Sequence, residues 1–172
     1  MHSLWFLGIR WLSALLLTVF YPVFYLVFSP LTLWISYGLL RLFTPATLQG
    51  TTILAGDITL VFVPACTAAS AYLLLALLIL LTKGISWRQG IFLFLLGSGL
   101  ILIANIIRIQ VLFYLLFNVG KNYFDTLHLL IWKALSSVYV AGVWIYLTWK
   151  FNIRETPVVS DFQALLKLTK ER

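Results

Sequence analysis

Residues 90–107 read GIFLFLLGSGLILIANII, a run of 18 residues without a charged side chain. A helix of this length rises about 27 Å, which is close to the thickness of the hydrocarbon core of a bilayer. The apolar character continues to Phe117, with Arg108 as the charged residue inside the run. This stretch therefore predicts a transmembrane helix and indicates a helical membrane protein.

The composition of the whole chain agrees with this prediction. Hydrophobic residues make up 62% of the 172 residues and charged residues only 10%, and the mean hydropathy is +1.03. These values exclude a soluble globular enzyme and a disordered chain. The single cysteine excludes an internal disulfide and a cysteine-rich zinc site, and the length indicates one domain, residues 1–172.

Three further segments are long and apolar enough to cross the membrane: Trp11–Ser29, Ala65–Thr82 and Leu127–Trp149. Pro22 is expected to kink the first of them. Leu31–Phe43 is also apolar, but its 13 residues are shorter than a span requires, so we predict a short interfacial or re-entrant helix. The predicted fold is an all-α bundle of four transmembrane helices, with a fifth span at Leu31–Phe43 as the alternative.

Residues 47–63 have a different character, because two β-branched runs flank the sequence Ala55-Gly56-Asp57. This pattern is typical of a β-hairpin. Strand edges cannot lie bare in lipid, so we expect the hairpin at the membrane surface or folded over the helices. Residues 150–172 form the longest polar segment, a basic tail whose second half predicts an amphipathic helix.

The basic residues predict the orientation. The net charge is +7, from 12 basic and 5 acidic residues, and in so apolar a chain this indicates cytoplasmic loops rather than nucleic-acid binding. A bundle of four helices with its N-terminus inside places eight basic residues in the cytoplasm: Arg10, Lys83, Arg88, Lys150, Arg154, Lys167, Lys170 and Arg172. We therefore predict a multi-pass protein of the cytoplasmic membrane with the hairpin outside and the basic tail inside.

Three reactive residues are predicted to share one depth in this arrangement. Cys66 lies at the outer end of the second span, Arg108 at the outer end of the third, and His128 at the start of the fourth. Asn105 precedes Arg108 by three positions and so lies on the same helical face. Asp125 precedes His128 by three positions and would orient the imidazole if the helix begins before it.

A thiol, a guanidinium and an imidazole can together form a cysteine nucleophile site. A nearby cation stabilises the thiolate, a histidine transfers the proton, and an arginine stabilises the oxyanion formed at a carbonyl. Structural explanations are also open at this point. An inert cysteine, a histidine at a helix start and an arginine that snorkels to head groups fit the same residues.

Four motifs in order resemble the exosortase/archaeosortase family of multi-pass cysteine transpeptidases. They are VPACTAAS at 63–70, TKGISWRQG at 82–90, ANIIR at 104–108 and FDTLH at 124–128. The resemblance covers residues 44–149, which correspond to the catalytic core of that family. It implies that Cys66 is the nucleophile and that Arg108 and His128 complete the catalytic set.

The predicted supporting residues are Asn105, Thr67 and Asp125. Asn105 matches the asparagine of the family's N-x-x-R motif, Thr67 follows the nucleophile, and Asp125 is selected by its spacing from His128 rather than by the resemblance. The family usually shows Cys-Ser-Gly, whereas this chain has Thr67 and Ala68 after its cysteine. This departure concerns the geometry just after the nucleophile and the subclass of substrate.

The function implied by the resemblance is protein sorting. The family cleaves a C-terminal signal, made of a short motif, a transmembrane helix and a basic cluster, at the outer face of the membrane. It passes the new C-terminus to a lipid or surface-glycan acceptor. The chemistry requires no metal and no organic cofactor, and nucleic acid is not an expected partner.

Two other functions remain open on the sequence. A non-enzymatic scaffold or transporter subunit would carry a cysteine that reacts sluggishly with alkylating probes. Another cysteine-dependent membrane acyltransferase would use the same thiolate, but its trapped intermediate would carry a lipid acyl group rather than a peptide.

Overall fold

The computed structural model describes residues 2–56, 58–119 and 136–153. The described elements, in chain order, are α1 (His2–Val19), α2 (Tyr21–Arg41), β1 (Ala46–Gln49), β2 (Thr52–Ala55), β3 (Ile58–Val61), a 3₁₀ turn (Pro64–Thr67), α3 (Ala69–Leu81), α4 (Trp87–Asn118) and α5 (Ser136–Lys150). The chain is thus mostly helical with one small sheet, as predicted. His128 and Asp125 lie outside the described residues.

Helix α4 is the longest element and contains the predicted span 90–107. It begins at Trp87 because the Ser86 hydroxyl accepts a hydrogen bond from the backbone N–H of Gln89, at 3.4 Å. Its 32 residues give a length of about 48 Å, which exceeds the hydrocarbon core of about 30 Å. α4 contacts α2, α3 and α5, so one long apolar helix organises the elements around it.

The N-terminal third differs from the prediction. A first span at Trp11–Ser29 followed by a short helix at Leu31–Phe43 is wrong, because the helix is interrupted at Phe20 and α2 then continues through Pro30 to Arg41. Pro22 lies in the first turn of α2, where its missing N–H and fixed φ favour helix initiation rather than a kink. The segment predicted to be interfacial is therefore the second half of a 21-residue helix.

By length and composition, α2 and α4 are the two described helices that are apolar enough to cross a membrane. α1 contributes a shorter apolar segment, Gly8–Val19, and α3 has 13 residues. Part of the predicted fourth span lies outside the described residues. The count of four or five transmembrane helices therefore stays a prediction.

The predicted hairpin is a three-stranded antiparallel sheet with the order β1-β2-β3. The turn after Ala55 is where the sequence indicated it, at Gly56, whose φ is +58°. A second turn at Gly50, with φ +62°, divides the first β-branched run into β1 and β2. Both positions adopt the left-handed region that glycine tolerates without a steric penalty.

The sheet is folded over the helices at one end of the bundle. Ile53 and Ala55 of β2 are buried in a cluster with Leu33 of α2 and with Ile109 and Phe113 of α4. A second cluster lies further along the bundle, between α3, α4 and α5. The segment that carries Cys66 connects β3 to α3, and so it lies at the end of the bundle that the sheet covers.

Candidate active site

Cys66 lies in the 3₁₀ turn that precedes α3 rather than in the helix itself. The predicted span Ala65–Thr82 therefore begins four residues later, at Ala69. Pro64 starts the turn, and the backbone N–H of Cys66 donates to the carbonyl oxygen of Val63 at 2.8 Å. The Cys66 side chain is half-buried and its thiol is free.

Two side chains of α4 bind successive carbonyl groups of this turn. The Nδ2 of Asn105 donates to the carbonyl oxygen of Cys66 at 2.7 Å. The Nη2 of Arg108 donates to the carbonyl oxygen of Ala65 at 3.2 Å. Because Asn105 and Arg108 are three residues apart on one helical face, α4 holds the turn at two adjacent points.

Because these two hydrogen bonds are buried, they contribute more to holding the turn in place than exposed ones would. Asn105 is only 5% exposed, and an amide in this environment requires partners for its donors. Its bond to Cys66 spans 39 positions of sequence, so it fixes the turn relative to α4 and not only to its own neighbours. The position of the Cys66 backbone is thus set by tertiary contacts.

Two buried polar atoms at the site have no hydrogen-bond partner among the described residues. They are the Nε of Arg108 and the Oγ1 of Thr67. The Thr67 side chain is fully buried, at 0% exposure. An N–H and a hydroxyl without partners are costly unless they bind another group, so they are available to a ligand or to water.

The surroundings of the turn determine whether the Cys66 thiol is protonated. Cys66 lies outside the apolar helices, and burial raises the pKa of its thiol, while a backbone hydrogen bond with Val63 and the Arg108 guanidinium act in the opposite direction. The net effect is a thiol that is protonated at neutral pH. Attack by this sulfur therefore requires a proton acceptor in addition to the cation.

The structure thus brings together Cys66, Thr67, Asn105 and Arg108 of the candidate residues. His128 and Asp125 are the candidates outside the described residues, and their place at the site stays a prediction. Within 2–56, 58–119 and 136–153, no group of three or more His, Cys, Asp or Glu residues could hold a metal ion.

Tyr72 is a polar residue near the site that the sequence analysis did not select. Its side chain is fully buried and stacks on Phe28, with 3.6 Å between the ring centroids. Its hydroxyl is buried and has no hydrogen-bond partner among the described residues. The signal in the sequence was a single tyrosine among the aliphatic and small residues of ASAYLLLALLILL.

Ala68 is the residue that joins the cysteine turn to α3, and it adopts a left-handed conformation with φ +55°. Alanine is sterically strained in this conformation, whereas glycine is not. Glycine, however, gives the unfolded chain more conformational entropy, which offsets part of the gain. We expect Ala68→Gly to raise the free energy of unfolding by about 0.5–1 kcal/mol. Thermal unfolding of the purified protein in detergent measures the change, and a lower midpoint for the glycine variant would contradict it.

The fold and the site together define a class, a membrane protein whose cysteine is held against an arginine and an asparagine of a long apolar helix. The family model of the transmembrane exosortases matches residues 2–149. The chain therefore belongs to the transmembrane exosortase family, as the motifs indicated. Comparison with curated proteins and with solved structures gave no significant match.

Proposed function

We propose that this protein is a membrane-embedded cysteine transpeptidase that cleaves a C-terminal sorting signal of exported proteins. The observation that carries the proposal is the pair of hydrogen bonds from Asn105 and Arg108 to the Cys66 turn. An inert cysteine does not require a buried amide and a guanidinium to hold its backbone. A nucleophile does, because its sulfur must be placed accurately against the scissile carbonyl.

The reaction begins with the Cys66 thiolate. Its sulfur attacks the scissile carbonyl carbon, and the oxygen takes up the electron pair as an oxyanion. Arg108 has a buried Nε–H without a partner among the described residues, and this group is suited to stabilise the oxyanion. Collapse of the intermediate breaks the C–N bond and leaves a thioester on Cys66.

His128 has the role of the proton carrier in this proposal. It accepts the thiol proton and delivers it to the leaving amine, and Asp125 orients its ring. In the second half it takes a proton from the acceptor nucleophile, which attacks the thioester and releases the Cys66 sulfur. The acceptor is a lipid or surface-glycan component, and water in its place would give hydrolysis.

The orientation proposed is the cytoplasmic membrane with Cys66 at the outer face. Arg10 donates to the carbonyl oxygens of Leu80 and Leu81 at the C-terminal end of α3, opposite the Cys66 turn. The ring of Phe151, next to Lys150, contacts Phe92 near the start of α4. Arg10 of α1, Arg88 at the start of α4 and Lys150 at the end of α5 therefore lie at one end of the bundle, and the positive-inside tendency supports a cytoplasmic position for that end.

Four crossings are part of this proposal, and the 13 residues of α3 cross with local thinning of the bilayer. The helices α2, α3, α4 and α5 alternate in direction between the basic end and the sheet-covered end. The residues after α5 then continue into the basic cytoplasmic tail, residues 150–172. Residues 44–149 form the catalytic core of the single domain 1–172.

The substrates proposed are proteins that end in a short motif, a transmembrane helix and a basic cluster. A test compares the intact masses of membrane proteins in host cells with and without this chain. We expect at least one such protein to keep its C-terminal helix when the chain is absent and to lose it when the wild-type gene is restored. Identical C-termini in both strains would refute the proposal.

The covalent intermediate separates the proposal from a lipid acyltransferase. The mass of the Cys66 peptide, taken from enzyme trapped with its substrate, should increase by a peptide fragment. An increase equal to a fatty acyl group would favour the acyltransferase instead, and an unmodified, slowly alkylated thiol would favour a scaffold.

A further inference from the structure

The two edges of the small sheet differ in how their backbone groups are used. At the β1 edge, the Tyr37 hydroxyl of α2 donates to the carbonyl oxygen of Ala46 at 3.3 Å. At the other edge lies β3, and no further strand pairs with it among the described residues. One edge is therefore covered by a helix, and the other is available.

The register shows which groups of β3 are available. The N–H of Phe62 donates to the carbonyl oxygen of Thr51 at 2.8 Å, and this pair continues the register of β2 with β3. Hydrogen-bonded pairs alternate along an antiparallel ladder. The N–H and C=O groups of Thr59 and Val61 therefore face away from β2, towards the outer edge, where the described residues provide no partner for them.

The side chains of β3 leave this edge accessible. Thr59 and Val61 are exposed, Val61 by 60%, while Leu60 packs against the buried cluster beneath the sheet. Natural proteins protect edge strands with a charge, a lysine, a proline or a bulge. The sequence of β3, ITLV, contains neither a charge nor a proline.

The edge leads directly to the nucleophile. Val61 ends β3, and the backbone stays extended to Val63, with φ −93° and ψ 161°. The carbonyl oxygen of Val63 then accepts the N–H of Cys66. A chain paired with Thr59 and Val61 would therefore lie within a few residues of the thiol.

From this geometry we infer that the outer edge of β3 binds the extended segment of the protein that Cys66 cleaves, by addition of a β-strand. This inference rests on the proposed function. In a helix, the scissile carbonyl would accept a hydrogen bond from the amide one turn away and would be shielded by side chains. The substrate segment must therefore be extended when the Cys66 sulfur attacks. Main-chain pairing holds an extended segment with little demand on its sequence.

The test removes the outward N–H of the edge without disturbing the pairing to β2. Proline is accepted at edge positions whose N–H faces outward, which is the situation of Val61. Val61→Ala is the matched comparison, because it also loses the valine side chain but keeps the N–H. The substrate for this test is a protein whose processing depends on this chain. We expect the full-length Val61→Pro variant to cleave it about tenfold more slowly than the Val61→Ala variant. The proline variant loses the hydrogen bond from the N–H of residue 61 to the substrate, and its ring obstructs the pairing.

A second measurement does not depend on how well the proline variant folds. A photoreactive benzoylphenylalanine at Thr59 should cross-link the same substrate close to its cleavage site, whereas the same group at exposed Leu42 should not. Equal cleavage rates of Val61→Pro and Val61→Ala, or a Thr59 cross-link that lacks the substrate, would overturn the inference while leaving the proposed function intact. If no protein depends on this chain for processing, the proposed function fails and the inference fails with it.

Discussion

Cys66→Ser abolishes processing if this protein acts through a thioester. A serine hydroxyl has nearly the same size as the thiol but a much higher pKa, and it makes a poor leaving group when the acceptor attacks. We expect the cleavage rate to fall by at least about 10³-fold, because loss of a nucleophile removes the covalent route altogether. Cys66→Ala should be equally inactive. The measurement is the fraction of substrate that keeps its C-terminal helix after expression of each variant.

The structure predicts that these variants stay folded. Asn105 binds the carbonyl oxygen of residue 66, not its side chain, so the contact with α4 persists in both variants. Ser98→Ala is a useful control on α4, since it removes a buried hydroxyl that has no partner among the described residues. We expect this control to process substrate normally. Cleavage by Cys66→Ala at the wild-type rate would show that another group is the nucleophile.

Much of the helical fold was predictable, because an apolar run that is long enough to cross the hydrocarbon core indicates a membrane-spanning helix. The run at 90–107 lies within α4, and the prediction of a helical chain with a small β-rich segment is confirmed. The N-terminal helices were not predicted correctly. A proline near the middle of an apolar run can start a helix as well as kink one, and the sequence around Pro22 does not distinguish these outcomes.

The sheet shows the same limit on a smaller scale. Gly56 was recognised as a turn because an aspartate follows it, whereas Gly50 lies inside a β-branched run and does not stand out. Both have positive φ, but only the pairing of the strands around them reveals the second turn. The register of β1 and β2 is a tertiary property that a single sequence pattern specifies weakly.

At the site, helical spacing predicted that Asn105 and Arg108 share a face, and their hydrogen bonds to one turn agree with this. The sequence could not predict the acceptors of these hydrogen bonds. They are the backbone carbonyl oxygens of Ala65 and Cys66, and every residue has such a group. The sequence also did not reveal the left-handed Ala68 or the buried Tyr72. The place of His128 stays a prediction.

Arg108→Lys tests whether the planar guanidinium is needed in addition to its charge. Arg108 uses Nη2 to hold the Ala65 carbonyl and has a separate N–H, at Nε, without a partner among the described residues. Lysine keeps the charge but has a single compact donor group. It cannot bind the Ala65 carbonyl and stabilise the oxyanion at the same time. We expect kcat to fall by about 10²-fold or more with a smaller change in KM, as for the loss of an oxyanion donor.

Comparison with Arg108→Gln separates geometry from charge. The Arg108 guanidinium opposes the rise in the pKa of the Cys66 thiol, so glutamine should raise that pKa further and slow the alkylation of Cys66 by iodoacetamide at neutral pH, while lysine should leave alkylation close to wild type. Arg41→Lys is the matched control, because Arg41 is exposed and ends α2 next to the sheet. A lysine variant at position 108 that cleaves as fast as this control would assign Arg108 to charge alone and would remove it from oxyanion stabilisation.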